Sequence, residues 1–314
     1  MIEKISKLSL IGTACNEEGN IKEFCSKADE ALRKLNVPYE IIIVDDGSRD
    51  GTYEILKSIK QHMLPLQVVQ LQRNYGQSAA IAAGFEQATG DIIFLFDTDL
   101  QQDPADIAVL YSKILEGYDV VSGQRMERKH PNIIRFMASL VFVVGKTILG
   151  VPVRDAMCTP NAYRRYVIRD LNLYGNTHRF LVPLLYWRGY RVIETPIPHY
   201  YRNAGSSKYS VFKYIPAFFD LVIMKFWMKY SRRPILFFGG IGALIGVTGF
   251  LMGSYFLFFR IFNPEVVADS RLHLFSAVFI LAGTQFVFFG IVADLVMRLY
   301  FKDRPVYFVR NILK

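Results

Sequence analysis

The run Ile92-Ile93-Phe94-Leu95-Phe96-Asp97-Thr98-Asp99 decides the fold. An apolar run with no polar alternate suits a strand buried on both faces, as in a parallel sheet covered by helices on either side. Two carboxylates follow at its carboxyl end, where open parallel sheets bind their ligands. Side chains alternate along a strand, so Asp97 and Asp99 point the same way. Like charges so placed repel unless a cation lies near them. Carboxylate oxygens suit Mg²⁺ or Mn²⁺, ions that commonly also hold substrate phosphates. Asp103, directly before Pro104, reads instead as a helix cap with proline at the first helical position.

Toward the N-terminus the same grammar repeats. Residues 8–15, 40–44 and 67–71 are strand-like. Between the first two, residues 17–35 place Ile21, Phe24, Cys25, Ala28, Leu32 and Leu35 on one helical face. Residues 52–60 and 77–88 carry helical spacing in the next gaps. This βαβαβαβ order predicts an α/β protein with a doubly wound, mostly parallel, Rossmann-like sheet. Polar clusters stand at the other strand ends: Asn16-Glu17 and Asp45-Asp46-Gly47-Ser48. Each is open to two readings, carboxylates for a ribose or base, or a turn whose Asp46 or Ser48 caps the following helix. Neither G-x-G-x-x-G nor a P-loop follows the first strand, which speaks against a dinucleotide enzyme or a P-loop NTPase.

Beyond residues 118–122, a further strand, the composition changes. Residues 133–149 are apolar but short for a span, and read as an interfacial helix or a buried core helix. Residues 211–233 predict a juxtamembrane amphipathic helix ending in Lys225, Lys229, Arg232 and Arg233. Residues 235–259 carry no charge and residues 272–300 carry only Asp294 and Arg298, four apart and able to pair. Two such segments in succession predict a transmembrane hairpin. The cations at both outer ends place the large domain and both termini in the cytoplasm. The expected division is therefore 1–210 catalytic, 211–233 juxtamembrane and 234–314 hairpin with a cytoplasmic tail.

The net charge of +9 is largely this membrane-flanking belt, and no nucleic-acid motif accompanies it. Three scattered cysteines, Cys15, Cys25 and Cys158, argue for reduced thiols in a cytosolic setting. Residues 1–10 alternate polar and apolar side chains, so no signal peptide is expected there. The histidines form no metal-ligand spacing.

Asn16-Glu17-Glu18, Val44-Asp45-Asp46-Gly47-Ser48 with Asp50-Gly51-Thr52, Arg73-Asn74-Tyr75-Gly76 and Asp97-Thr98-Asp99-Leu100-Gln101 resemble, in order and spacing, the family 2 glycosyltransferases. Ser122-Gly123-Gln124-Arg125, the Arg202 to Tyr209 stretch and Gly290 to Tyr300 resemble the polyprenyl-phosphate branch, with its dolichol-phosphate mannose synthases and bactoprenol glucosyltransferases. The resemblance implies a GT-A catalytic domain. It assigns Thr13, Cys15, Glu17, Val44 and Asp46 to the nucleotide, and Asp97, Thr98, Asp99 and Gln101 to the donor phosphates and a Mg²⁺ or Mn²⁺ ion, with Asp97 and Asp99 as metal ligands and Asp99 the foremost. It assigns Arg125, Arg135 and Ser139 to the lipid phosphate, Arg202 and Lys208 to a loop closing on the diphosphate, and Asp155 to the acceptor side, as a base or an orienting group. The chain departs from the family at Thr13-Ala14-Cys15, where proline and tyrosine usually precede Asn-Glu.

The implied reaction is inverting transfer of a sugar, glucose from UDP-glucose, to undecaprenyl phosphate on the cytoplasmic face of the bilayer. Mannose, an amino sugar or a 4-amino-4-deoxy-arabinose derivative is the alternative cargo. A lipid phosphate has a second pKa near ~6 and is largely dianionic at neutral pH, so it needs positioning more than deprotonation. A processive polysaccharide synthase would carry Q-x-x-R-W, which is absent. A non-catalytic membrane scaffold would not need the carboxylates that are present. The branch contains oligomers, so a homo-oligomer is compatible with the hairpin.

Overall fold

A computed structural model describes residues 5–125, 150, 159–198 apart from 170, 172, 174 and 176, residue 200, 214–231, 233–262 and 271–301. Two compact units result, Met1–Met224 and Lys225–Lys314.

The first unit is built on the predicted alternation: β1 (Leu8–Ala14), α1 (Ile21–Arg33), β2 (Tyr39–Asp45), α2 (Thr52–His62), β3 (Leu66–Gln70), α3 (Gln77–Gln87) and β4 (Ile92–Asp97). A 3-10 turn (Pro104–Asp106) leads into α4 (Ile107–Leu115) and β5 (Val120–Arg125). Then come β6 (Asn161–Arg164), α5 (Arg165–Ile168), a second 3-10 turn (Thr177–Phe180), α6 (Leu181–Trp187) and β7 (Val192–Ile197). The strands form one sheet in the order β3-β2-β1-β4-β6-β5-β7. All pair in parallel except β6, which runs antiparallel to both β4 and β5. The sheet is thus mostly parallel, as expected.

The apolar runs are buried as their lack of alternation required. Leu8, Leu10, Ile41, Ile43, Phe94 and Phe96 are fully inaccessible on the face covered by α1 and α4. On α1, Ile21, Phe24, Cys25, Ala28 and Leu32 are buried and Leu35 beyond its end is partly buried. The helix starts at Ile21 rather than at residue 17. Asn16 takes a left-handed conformation (φ 59°), and the Glu17 carbonyl accepts the Asn20 and Ile21 N–H groups in a turn. Asp103 caps the first 3-10 turn, accepting the Ala105 N–H at 2.9 Å with Pro104 behind it.

α7 (Tyr214–Tyr230) coincides with most of the predicted juxtamembrane helix, and the division between the units falls within it. In the second unit α8 (Pro234–Phe262) and α9 (Leu272–Phe301) pair as a hairpin. Both are candidate membrane spans with mean hydropathy 2.1. At 29 residues α8 is about 43 Å long, beyond the ~30 Å of a hydrocarbon core. Leu244, Phe250, Leu281 and Leu299 stand exposed, an arrangement that suits lipid and not water. The two helices meet backbone to backbone. A Cβ at Gly283 would lie 2.6 Å from the Gly242 carbonyl oxygen, and one at Gly242 would lie 2.6 Å from the Gly283 oxygen. The expected Asp294–Arg298 pair forms, with Arg298 Nε donating to Asp294 Oδ2 at 2.7 Å.

The predicted interfacial helix 133–149, together with Arg135, Ser139, Asp155, Cys158, Arg202 and Lys208, lies outside the described residues.

Candidate active site

At the carboxyl ends of β1, β2 and β4 a cavity of about 290 Å³ opens. Thr13, Ala14, Cys15 and Glu17 line it from the end of β1, and Asp46 from the end of β2. Asn74, Gly76, Gln77 and Ala80 wall it from the entry to α3, and Asp97, Thr98 and Asp99 from the end of β4. Register explains the convergence: Thr13 pairs with Val44 on one side and with Asp97 on the other, so the strand ends are level.

The two motif loops after β1 and β2 hold each other. Asn16 N–H donates to Ser48 Oγ at 2.9 Å, and Arg49 N–H donates to Asn16 Oδ1 at 2.8 Å. Gly51 N–H donates to Glu18 Oε2 at 2.8 Å, while Asp50 accepts from the N–H groups of Glu18 and Thr52. Burial would raise the Asp50 carboxyl, but the bonds from Thr52 and Glu18 outweigh it and hold the pKa below its ordinary value. Asn16, Glu18, Ser48 and Asp50 therefore form a clasp, and Cys15, Glu17 and Asp46 remain on the cavity wall. Neither Asp46 nor Ser48 caps α2, whose N-terminal position is Gly51.

Asp46 instead accepts from Tyr75 N–H at 2.7 Å and Gly76 N–H at 2.9 Å, tethering the entry to α3. Gly47 makes that approach possible. It takes φ +63°, and a Cβ there would stand 2.3 Å from the Arg73 carbonyl carbon. Asn74 Nδ2 donates to Cys15 Sγ at 3.1 Å. Burial raises the Cys15 thiol above its ordinary pKa, the Asn74 bond offsets part of this, and the Asp46, Asp45 and Asp50 charges add to the rise. Cys15 is thus a neutral thiol at physiological pH.

Asp97 accepts from Gln77 Nε2 at 2.7 Å through Oδ1 and from the Thr159 hydroxyl through Oδ2. Asp99, nearly buried, accepts the Gln101 N–H at 3.1 Å in a local turn that Leu100 closes in the left-handed region (φ 58°). Thr98 is buried and its hydroxyl donates to the Thr13 carbonyl at 2.9 Å, locking β4 to β1. A carboxylate oxygen carries two lone pairs and can accept a hydrogen bond and face a cation at once. The hard oxygens of Asp97 and Asp99 fit Mg²⁺ or Mn²⁺, which need only one or two protein carboxylates when phosphates complete the sphere. No described lining residue is a lysine or arginine, while Glu17, Asp46, Asp97 and Asp99 are acidic. A diphosphate entering this cavity needs cationic company.

The expected site residues are only partly brought together. Thr13, Cys15, Glu17, Asp46, Asp97, Thr98 and Asp99 share the cavity. Val44 does not: its side chain is fully buried and its backbone is spent in the ladders to Thr13 and Val69, so it supports the wall from behind. Gln101 stands outside the lining, with its carbonyl accepting the Tyr200 N–H at 2.9 Å. Arg125 ends β5 at the same edge of the sheet, beside Ile197. Gln77 and Thr159 were not expected. Only the glutamine carried a sequence signal, as a polar residue at the first position of a helix that follows Gly76.

Residues 9–178 match the family model Glycosyl transferase family 2. The chain is 33% identical over 320 residues to the undecaprenyl-phosphate 4-deoxy-4-formamido-L-arabinose transferase of Enterobacter sp. (strain 638), spanning 99% of this chain and 95% of that protein. It is 31% identical over 318 residues to the transferase of the same description from Yersinia enterocolitica, with the same coverage. Among solved structures it is similar to glucosyl-3-phosphoglycerate synthase from Mycobacterium tuberculosis, crystallised with Mn²⁺, UDP and glucosyl-3-phosphoglycerate. The TM-score is 0.53 at 18% identity, covering 71% of this chain and 79% of that one, which establishes the shared GT-A-like fold. With its motif clasp, its acidic strand ends and relatives along nearly its whole length, the chain belongs to glycosyl transferase family 2 and is a glycosyltransferase.

Proposed function

We propose that the enzyme transfers a 4-deoxy-4-formamido-L-arabinose-type sugar from a nucleotide diphosphate donor to undecaprenyl phosphate, with inversion and with a divalent cation, at the cytoplasmic membrane face. The observation that carries the reading is the likeness, at 31–33% identity over 99% of the chain, to transferases of that description. It favours the arabinose-type alternative over the glucose that the family resemblance implied.

The reaction breaks the bond between the anomeric carbon and the donor diphosphate and forms one to a lipid phosphate oxygen. The acceptor phosphate is already largely dianionic, so its alignment behind the anomeric carbon is what the protein must supply. Asp97 and Asp99 are the residues that would hold the cation, and a cation bound there would supply charge neutralisation for the departing diphosphate. Arg125, at the cavity's edge of the sheet, receives the acceptor phosphate, aided by Arg135 and Ser139. Arg202 and Lys208 close on the diphosphate, and Asp155 orients the acceptor. Two lipid-facing helices keep this machinery beside a substrate confined to the bilayer, and Lys225, Lys229, Arg233 and Arg298 flank them on the cytoplasmic side.

The test incubates membranes containing the protein with undecaprenyl phosphate, Mg²⁺ or Mn²⁺, and a panel of labelled nucleotide sugars. The formamido-arabinose donor is expected to give labelled lipid that UDP-glucose does not. Labelling from UDP-glucose alone would return the reading to glucose, and no labelled lipid from any donor would reject it.

A further inference from the structure

We infer that Gln77 and Thr159 are positioning residues that present the Asp97 carboxylate to the divalent cation. The inference rests on the reading above and goes beyond it in naming what orients the acidic site.

Asp97 is the last residue of β4, where the strand no longer restrains it on both sides. A lone carboxylate at such an end rotates about two side-chain bonds. Here each oxygen meets a donor from a different element: Oδ1 takes the Gln77 amide from α3, and Oδ2 takes the Thr159 hydroxyl from the approach to β6. Donors on both oxygens fix both rotations, and a carboxylate oxygen, with two lone pairs, can accept a hydrogen bond and face a metal together. Asp99 is oriented in a different way, its Oδ1 accepting the Gln101 N–H in a local turn.

The Gln77 donor is itself placed by the site. The residues just before it are tied to β1 through Asn74 and Cys15 and to β2 through Asp46 with the Tyr75 and Gly76 amides. Residues 74–77 thus form a strap joined to three strand ends, and Gln77 is its last stitch. Neither donor bears a charge, so both bonds survive when a cation arrives. A cationic partner in their place would compete with the metal for the carboxylate. Bonds of this kind to a metal-holding carboxylate typically govern roughly 10–100-fold in metal affinity.

The experiment uses the full chain in detergent micelles and measures bound Mn²⁺ from the loss of the free-ion electron paramagnetic resonance signal, with Mn²⁺ alone and with added UDP. Gln77→Met and Thr159→Val keep shape and remove the donor. Each is expected to weaken Mn²⁺ binding by roughly 10–100-fold and to lower kcat, with KM for undecaprenyl phosphate unchanged. Thr159→Ser, which retains the hydroxyl, is expected to bind Mn²⁺ as the wild type does. Wild-type Mn²⁺ affinity in both Gln77→Met and Thr159→Val, or a Thr159→Ser as defective as Thr159→Val, overturns the inference and leaves the proposed reaction standing. A wild-type chain that binds no Mn²⁺ under either condition overturns both.

Discussion

Asp46 Oδ2 accepts the backbone N–H of Gly76 at 2.9 Å while its other oxygen accepts that of Tyr75, so an acidic residue at the end of β2 fixes the first residues of the strap before α3. An asparagine has only one acceptor to offer these two donors. Asp46→Asn is expected to destabilise the protein by about 1.5–3 kcal/mol, the range for hydrogen bonds to a charged group. It should also raise KM for the nucleotide sugar, because Asn74 and Gly76 wall the cavity. Thermal melts and donor titrations check both; an unchanged KM would show that the strap does not shape the donor site.

Asp99 combines near-complete burial with a place on the cavity wall. Asp99→Ala removes one of the two carboxylates proposed to hold the cation. Transfer to the lipid is expected to fall by at least about 10²-fold, comparable to losing a preorganised electrostatic contact, with the melting temperature little changed. Labelled-lipid formation measured against protein concentration is the assay.

Asp106 offers a pH signature outside the cavity. Burial, helped by the charge of Asp103, pushes its carboxyl from 3.8 to about 6, and its Oδ2 is buried without a hydrogen-bond partner among the described residues. The folded state therefore holds a proton that the unfolded chain has already released. This group's stabilising contribution is complete below 3.8 and is lost as the pH rises to about 6. Asp106→Asn should flatten that part of the stability curve and raise stability at neutral pH by about 1 kcal/mol, after discounting for solvent at a half-buried group. Denaturant unfolding at a series of pH values tests the sign.

The hairpin depends on Gly242 and Gly283, whose carbonyls each occupy the space of the other's missing side chain. Gly283→Ile should push the helices apart at a cost of about 1–3 kcal/mol or more, since the obstruction is backbone and cannot rotate away. Cysteine cross-linking between α8 and α9 should fall, and an undiminished cross-link would show that the contact is not required.

Much of the fold was legible in the sequence because its signals are local. Runs such as Ile92 to Phe96 without a polar alternate, and the face from Ile21 to Leu32, report burial through spacing alone. The same holds for the charge-free stretch after Pro234, and for Asp97 and Asp99, marked by their place at a strand end. β6 gave no such signal. Four residues, Asn161–Arg164, are too few for periodicity, and only the neighbouring strands make them an antiparallel member of the sheet. The motif residues likewise looked alike in sequence, and contacts divided their work. Asn16, Glu18, Ser48 and Asp50 clasp two loops, Val44 is core and Thr98 is a bolt. Cys15, Glu17 and Asp46 face the cavity.

By itself, then, the sequence determined the strand and helix order through β4, the two candidate spans and the acidic strand ends, since each follows from the spacing of residues along one segment. Only the tertiary structure decided that Gln77 and Thr159, which lie 20 and 62 residues from Asp97 along the chain, donate to its two oxygens. Hydrogen bonds of that separation are set by which elements the sheet order brings together, and no local pattern encodes them.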